Sequence, residues 1–221
     1  MAAKIIAVFN QKGGCTKTMT TMQLAGAFAA LKRIPLVVDM DPQGTGCIWS
    51  AQATEENPFP AKVISLAPMR EQMIKELPKY VNDHDIILID CPPAIESTVP
   101  WAALQVADMG LIPVIPVMDN VWASIKAKQL AMRAKQDNPE LQTYFVASQM
   151  RRGNIFSFCL EKIKSDPDVE LLNSVISQRN AFPESQAYGT TVLGLSKSSD
   201  ASKEVRALAM EILGKLEMKA A

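Results

Sequence analysis

The chain has 221 residues, with 23 basic and 23 acidic side chains that balance to a formal net charge of zero. Its hydrophobic content of 48% is enough for one domain with a large core. The balanced charge excludes nucleic-acid binding through bulk charge, so any such role would need a local basic patch. No apolar run reaches the roughly 18 residues of a membrane helix, and the first residues do not follow the pattern of a signal peptide. We therefore expect a cytoplasmic protein.

The cysteines and the single histidine argue against a cysteine or histidine metal site and against a hydrolase triad. Cys15, Cys47, Cys91 and Cys159 are scattered without metal-ligand spacing, which predicts reduced thiols. His84 lies in a polar stretch that is typical of a solvated loop. A Ser-His-Asp site or a histidine metal site would have to use this residue, so we discard both.

Short apolar runs alternate with helical patterns along the whole chain. The predicted strands cover residues 5–9, 35–39, 63–66, 86–90, 109–117, 143–148 and 170–176. The predicted helices cover residues 20–31, 45–52, 69–81, 99–106, 121–136, 155–165 and 201–215. This alternation is typical of a mainly parallel sheet with helices on both faces, a doubly wound α/β fold. No repeat or break in composition divides the chain, so we expect one domain over residues 1–221.

The stretch from Asn10 to Met19 joins the first strand to the first helix and has the character of a phosphate-binding loop. It contains Gly13-Gly14 followed by Lys17-Thr18. In such a loop, backbone N–H groups and the helix N-terminus converge on an anion, and a lysine adds a full positive charge. The strict pattern G-x-x-x-x-G-K-[ST] is not met, because Gln11 and Thr16 stand at its two glycine positions.

Carboxylates follow two further predicted strands. Asp39 and Asp41 end the second strand, and Asp90 ends the apolar run 86–90. Ligands of doubly wound sheets bind at the carboxyl ends of the strands, so these groups should meet the phosphate loop. Asp90 with the Thr18 hydroxyl and the phosphates would form a suitable shell for Mg²⁺. The alternative is that Asp90 only caps the strand or forms a turn.

The loop and the segment after the second strand together resemble the ParA/MinD family of ATPases, whose phosphate loop is a deviant Walker A motif. The pattern K-G-G-x-x-K-[ST] runs from Lys12 to Thr18, and D-x-D-P-Q-G runs from Asp39 to Gly44. The similarity is greatest to the short ParA-type partition and positioning ATPases of the ParF-like and McdA-like kinds. The resemblance implies a P-loop NTPase fold with ATP and Mg²⁺ as cofactors.

The resemblance also implies roles for single residues. It assigns nucleotide binding to Lys12, Gly13, Gly14, Cys15, Thr16, Lys17, Thr18 and Met19. The Mg²⁺ shell falls on Thr18, Asp39 and Asp90, and catalysis falls on Lys12, Lys17 and Asp41. Asp41 would orient the attacking water. Lys12 would reach across a nucleotide-sandwich dimer to the partner's phosphates and act as an arginine finger does.

The implied function is ATP-driven partition or positioning of a cargo such as a plasmid, a chromosome region, a protein cluster or a carboxysome. Members of this family dimerise on ATP, bind nucleoid DNA nonspecifically as the dimer, and release it after hydrolysis that a cargo-bound adaptor stimulates. Looser similarity extends to residues 119–124, 178–182, 189–192 and 198–205. The chain would belong to the short subclass, which lacks an N-terminal helix-turn-helix extension. The DNA-binding candidates are Arg151, Arg152, Arg179, Lys197, Lys203 and Arg206.

Two residues depart from the family pattern. Thr16 replaces the glycine expected before the loop lysine, and a β-branched residue with positive φ would cost about 1–2 kcal/mol. We therefore predict that Thr16→Gly raises ATP turnover. Lys32 stands where relatives often carry a glycine that ends the helix.

Three alternatives remain open. A MinD-like ATPase would bind membranes through a C-terminal amphipathic helix, but residues 208–218 lack a basic face and bulky aromatic side chains. A nucleotide-binding scaffold with impaired hydrolysis would be a static interaction module. A metabolic kinase or synthetase would need a second-substrate site that the sequence does not display.

Overall fold

The computed structural model describes residues 2–93 and 98–218. In these ranges seven strands form one sheet, in which every pair is parallel. The strands are β1 (Lys4–Val8), β2 (Pro35–Asp39), β3 (Lys62–Ser65), β4 (Ile86–Asp90), β5 (Met109–Val114), β6 (Gln142–Ala147) and β7 (Glu170–Leu171). Their order across the sheet is β3-β2-β4-β1-β5-β6-β7. The predicted α/β class is confirmed, with a sheet that is parallel throughout rather than mainly so.

Eight α-helices connect and flank these strands within the described ranges. They are α1 (Lys17–Ala30), α2 (Thr45–Ala51), α3 (Val99–Val106), α4 (Met118–Asp137), α5 (Asn154–Lys164), α6 (Ala181–Ala187), α7 (Val192–Leu195) and α8 (Asp200–Lys215). The last three residues of the predicted domain, 219–221, lie outside the described part. Both short helices α6 and α7 are absent from the sequence prediction because neither is long enough to show a helical period.

Three predicted elements are wrong in type or length. Residues 69–81 were predicted as an α-helix, but two 3₁₀ segments, Ala67–Lys75 and Leu77–Lys79, occupy this stretch, each with a proline near its start. The predicted strand 170–176 stops at Leu171, because the N–H groups of Asn173 and Ser174 bond to the Glu211 carboxylate instead of the sheet. The predicted strand 109–117 ends at Val114, shortly before Pro116.

The sheet register brings the polar strand ends together. β4 lies between β1 and β2, so Asp90 is the register partner of Val8 on one side and of Asp39 on the other. The chain then crosses to the far side of β1 to form β5. This reversal of direction next to β1 is the point at which doubly wound sheets bind ligands.

Two apolar layers cover the faces of the sheet. Alternate residues of β4 point to opposite faces, so Ile86 and Leu88 pack in the cluster that contains α1 and α8. Ile87 and Ile89 pack in the other cluster, with α3 and α4. All four side chains are fully buried, which explains why this strand reads as a continuous apolar run.

None of the helices in the described part is both long enough and apolar enough to cross a bilayer.

Candidate functional site

The loop between β1 and α1 is built around two residues with left-handed backbone conformation. Gly14 has φ 73° and Thr16 has φ 69°. Lys17 opens α1 and is only 7% exposed, and its Nζ donates a hydrogen bond of 3.2 Å to the Lys12 carbonyl oxygen. The loop therefore curls over the ammonium group of Lys17, whose positive charge lies at the helix N-terminus where an anion is stabilised.

Thr16 adopts the positive φ that the sequence analysis associated with glycine. Its hydroxyl donates a hydrogen bond of 2.8 Å to the hydroxyl of Ser148, which is fully buried at the end of β6. This bond contributes on the order of 1 kcal/mol and offsets part of the local strain. Thr16 thus connects the loop to the end of β6. Sequence analysis missed this contact because Ser148 belongs to no recognisable motif.

The cysteines of this region are free thiols, as expected. The Cys15 thiol donates to the Lys12 carbonyl oxygen at 3.0 Å and packs inside the loop. Burial raises the pKa of Cys15, and it also raises the pKa of Cys91 after β4, so both groups remain protonated. They act as small packing residues.

Asp90 is a buried carboxylate with an unsatisfied oxygen. It is 1% exposed, its Oδ1 accepts from the Thr21 hydroxyl at 3.4 Å, and its Oδ2 has no hydrogen-bond partner within the described structure. Burial raises its pKa to about 7, the neighbouring Thr18 side chain and the charge of Lys17 act in the opposite direction, and the charge of Asp39 adds to the rise. A buried carboxylate oxygen without a partner is costly unless a cation binds it. The Asp90 and Thr18 oxygens therefore fit a Mg²⁺ ion, which takes few protein ligands.

Asp39 organises the segment that follows β2. It is fully buried, and its carboxylate accepts backbone N–H groups of Asp41 at 3.0 Å and Cys47 at 3.1 Å. Burial raises its pKa, while these N–H groups favour the ionised form. Both oxygens are used by the backbone, so Asp39 shapes the turn into α2 in addition to its predicted place near the ion.

Asp41 is half-buried and faces the cavity in front of the phosphate loop. Its Oδ1 accepts the N–H of Gln43 at 2.9 Å, and its carbonyl oxygen accepts the N–H of Gly44 at 2.9 Å. These bonds make a tight turn in which Gly44 has φ 62°. The turn holds the carboxylate at the cavity, where a water molecule between it and a bound phosphate could be oriented.

Lys12 lies on the outside of the loop and forms an ion pair with Asp119 at the start of α4 in the same chain. The hydrogen bond from Lys12 holds the pKa of Asp119 below its usual range. Both side chains are partly exposed, so water and salt screen the pair. A competing anion can therefore replace the Asp119 carboxylate as the partner of Lys12.

A cavity of about 370 Å³ lies in front of the loop. Its walls include Gly13, Gly14, Thr16, Lys17, Thr18, Met19, Asp41, Thr45, Trp49, Pro93, Gln149 and Gln186. A second cavity of about 260 Å³ adjoins it, and the two share Met19, Gln149 and Gln186. The second one continues to Asn180, Phe182 and Pro183 at the start of α6. Together they form a groove that has a cationic end and a partly apolar end, which suits a nucleotide.

One side chain and one helix of this groove, Trp49 and α6, are not part of the two nucleotide-site motifs. Trp49 of α2 is buried, and its indole N–H donates to the Thr190 carbonyl oxygen at 2.8 Å. The apolar end is formed by α6. The only indication of this helix in the sequence is the looser family similarity over residues 178–182. Both depend on how α6 and α7 fold back onto α1 and α2.

The six DNA-binding candidates differ in their local surroundings. Arg179 pairs with Glu204 at 2.7 Å and with Asp200 at 3.7 Å, and Lys203 pairs with the same Asp200 at 3.4 Å. The guanidinium of Arg151 lies 6.0 Å from the ring centre of Phe156, and Arg152 is exposed beside it. The other two, Lys197 and Arg206, line a separate cavity on the α1–α8 face.

Comparisons with known proteins agree with this geometry. Residues 3–66, which contain the phosphate loop and Asp39 and Asp41, match the model of a family described as AAA domain. The chain is 25% identical to the maintenance of carboxysome distribution protein A of Halothiobacillus neapolitanus, over 94% of this chain and 95% of that protein. It is also 25% identical to the chromosome partitioning protein ParA of Myxococcus xanthus, over 95% and 88%.

A solved structure shares the fold. The ATP complex of a McdA variant from Cyanothece superposes with a TM-score of 0.79 at 15% identity, covering 100% of this chain and 98% of that one. At this identity the likeness establishes the fold alone. The ParA/MinD resemblance inferred from the motifs is confirmed by these comparisons.

Proposed function

We propose that this chain, which belongs to the ParA/MinD-type ATPases, hydrolyses ATP in order to partition or position a cargo inside the cell. The observation that carries the proposal is the convergence of Lys17, Thr18 and Asp41 on one cavity, with Asp90 against Thr18. These groups supply a cation for the phosphates, ligands for a metal ion, and a carboxylate for the water. Phosphoryl transfer needs this kind of positioning and charge neutralisation more than strong base chemistry.

The phosphates of ATP would bind to the loop between β1 and α1. Backbone N–H groups and the buried Lys17 would hold the β- and γ-phosphates. Thr18 and Asp90 would hold Mg²⁺, with Asp39 beside them, and the ion would neutralise charge on the phosphate oxygens. The adjoining groove toward Asn180 and Phe182 would take the ribose and the base.

Asp41 would position the attacking water. Its turn fixes the carboxylate at the mouth of the phosphate cavity without burying it completely. The carboxylate can accept a hydrogen bond from a water molecule and hold it in line with the γ-phosphorus. Positioning the water does not neutralise all the negative charge that develops on the phosphate oxygens in the transition state. Turnover would therefore be slow until a further positive charge reaches the site.

Lys12 would supply that missing charge in a dimer. In the single chain it is bound to the exposed Asp119, and a partner's phosphates carry more negative charge than one carboxylate. ATP binding would therefore draw Lys12 away from Asp119 and across the interface. The ATP-dependent dimer would be the state that binds DNA, because it doubles the number of phosphate contacts.

The names of two relatives support a role in positioning a cargo, since one is named for the distribution of carboxysomes and another for chromosome partitioning. A cargo on the nucleoid and an adaptor that stimulates hydrolysis are part of the proposal through the family resemblance of the motifs. The membrane-binding alternative gains no support from α8. Its apolar residues Leu208, Ile212 and Leu213 are buried against the sheet and α1, so they are not available to a bilayer.

The test is an Asp41→Ala variant, with the exposed Asp137→Ala as matched control. With Mg-ATP, Asp41→Ala should lose turnover, remain a dimer in light scattering, and stay bound to a labelled DNA duplex in fluorescence anisotropy. The control should behave as the wild type, with slow turnover that an adaptor would accelerate. A variant that binds ATP and stays monomeric would contradict the dimer scheme. A variant with wild-type turnover would contradict the role of Asp41.

A further inference from the structure

A second basic cavity lies on the α1–α8 face, at the opposite end of α1 from the phosphate loop. Its volume is about 430 Å³, and it shares no lining residue with the phosphate cavity. Within α1 the phosphate cavity is lined as far as Met19 and this cavity from Gly26 onward, so about 10 Å of helix separates their nearest lining residues. Small residues of α1 form one wall, while Asn57 and Thr190 contribute polar groups. This space is therefore not part of the nucleotide groove.

Three cations surround this cavity and no acidic side chain lines it. They are Lys32 after α1, Lys197 before α8, and Arg206 within α8. In the described part of the chain these three side chains form neither an ion pair nor a hydrogen bond, whereas Arg179 and Lys203 nearby are both paired with carboxylates. Positive charge in a concave site without counter-charge concentrates anions.

Lys32 occupies its position at a conformational cost. It has φ 62°, and its N–H donates to the Ala29 carbonyl oxygen at 3.0 Å while that of Arg33 donates to Phe28 at 3.0 Å. This is the helix-ending turn that normally uses glycine, because a side chain is disfavoured at positive φ. The strain is retained at a position whose side chain lines the basic cavity, which supports a role for the ammonium group there.

We propose that this cavity is a second anion site, which binds a phosphate group through Lys32, Lys197 and Arg206. A guanidinium can bind two phosphate oxygens at once, and two ammonium groups complete the neutralisation. The Asn57 amide and the Thr190 hydroxyl can donate to a third oxygen. The phosphate can come from a DNA backbone or from a small phosphorylated molecule. The DNA source rests on the proposed function, and the small-molecule source does not.

The first experiment exploits the strain at Lys32. Lys32→Gly removes the cation and relieves the positive φ, so it should raise Tm by roughly 2–4 °C while weakening phosphate binding at least about tenfold. Glu217→Gly is the matched control. Glu217 has φ 55° in the same kind of turn after α8, and it does not line the cavity. It should raise Tm similarly and leave phosphate binding unchanged.

The second experiment identifies the source of the phosphate. Inorganic phosphate is titrated by calorimetry into protein saturated with Mg-AMPPNP, which fills the loop between β1 and α1. A labelled DNA duplex is titrated in parallel by anisotropy at several salt concentrations. Both are repeated with Lys197→Gln and Arg206→Gln, and with the exposed Lys135→Gln of α4 as a control outside the cavity. Loss of one phosphate contact should lower the salt slope of DNA binding by about 1.

The outcomes separate this inference from the proposed function. Weaker DNA binding in the cavity variants assigns the site to a DNA phosphate. Weaker binding of inorganic phosphate with unchanged DNA binding assigns it to a small molecule. If the wild type binds phosphate at this cavity but no DNA, the inference holds and the DNA part of the proposed function is wrong. If neither ligand responds to the cavity variants, or inorganic phosphate and DNA both fail to bind the wild type, the inference is wrong.

Discussion

The Thr16 hydroxyl donates a hydrogen bond of 2.8 Å to the Ser148 hydroxyl, and this bond links the phosphate loop to the carboxyl end of β6. The two residues are 132 positions apart in the chain. Thr16, one of the two residues that depart from the family pattern, therefore has a specific hydrogen-bond partner in the site. Its positive φ and its hydrogen bond act in opposite directions on stability.

The first prediction separates these two effects. Ser148→Ala should lower the free energy of unfolding by about 1 kcal/mol, because Thr16 keeps its strain and loses its partner. Thr16→Gly loses the same bond and also the strain, so its stability should lie within about 1 kcal/mol of the wild type. Its ATP turnover should rise, because a glycine holds the positive φ of this position without strain. Urea denaturation measures the stabilities, and a steady-state ATPase assay measures the turnover. An equal or lower turnover for Thr16→Gly would show that the strain at Thr16 does not limit hydrolysis.

The second prediction concerns Asp90, whose buried Oδ2 has no hydrogen-bond partner among the described residues. Asp90→Asn removes a charge that is expensive to bury, so the nucleotide-free protein should become more stable at pH 8 by roughly 1–3 kcal/mol. The same variant should lose the rise in Tm that Mg-ATP gives to the wild type. Differential scanning fluorimetry with and without Mg-ATP reports both effects. A variant that is still stabilised by Mg-ATP to the wild-type extent would show that Asp90 does not hold the ion.

The third prediction concerns the contact between Gly189 and the end of α2. Gly189 has φ 60°, and a Cβ there would lie 2.0 Å from the Ala53 backbone nitrogen. Gly189→Ala should therefore destabilise the fold by roughly 2–4 kcal/mol and disturb the adjacent bond from Trp49 to Thr190. Gly214→Ala is the control. It lies in α8 with nothing within 4 Å of the added Cβ, and it should stabilise by up to about 1 kcal/mol. Equal Tm values for both variants would contradict the packing seen here.

The fourth prediction is a pH dependence set by Glu211 of α8. Its carboxylate accepts the N–H groups of Asn173 at 2.7 Å and Ser174 at 2.8 Å. Burial opposes ionisation, but these hydrogen bonds prevail and hold the pKa of Glu211 below its usual value of 4.5. The ionised group therefore adds stability above the unfolded-state pKa, and this contribution disappears as the pH falls through the lower folded-state pKa.

Glu211→Gln tests this dependence. It should cost roughly 1–2 kcal/mol at pH 7, and the difference from the wild type should shrink as the pH falls below about 4. Urea denaturation between pH 3 and 7 measures the two curves. The exposed Glu161→Gln serves as control and should follow the wild type at every pH. A constant difference over the whole range would assign the effect of Glu211→Gln to shape rather than charge.

Local pattern in the sequence accounts for most of the architecture. Short apolar runs such as residues 86–89 form buried strands, because side chains on both faces of a covered sheet must be apolar, and Asp90 follows at the strand end. The motifs from Lys12 to Thr18 and from Asp39 to Gly44 lie at strand ends because phosphate sites need helix N-termini and tight turns there. Where the prediction is wrong, at residues 69–81 and 170–176, proline and a distant carboxylate override local propensity.

The tertiary structure decides which distant groups meet. Strand order makes Asp39 and Asp90 register partners, and it brings Ser148 to Thr16 and Asp119 to Lys12 across separations of 132 and 107 residues. Hydrophobic periodicity assigns a residue to a face but carries no information about the neighbour across the sheet. For the same reason the sequence does not show that Lys32, Lys197 and Arg206 line one cavity. That cavity forms where α1 and α8 meet the segments 57–60 and 190–194.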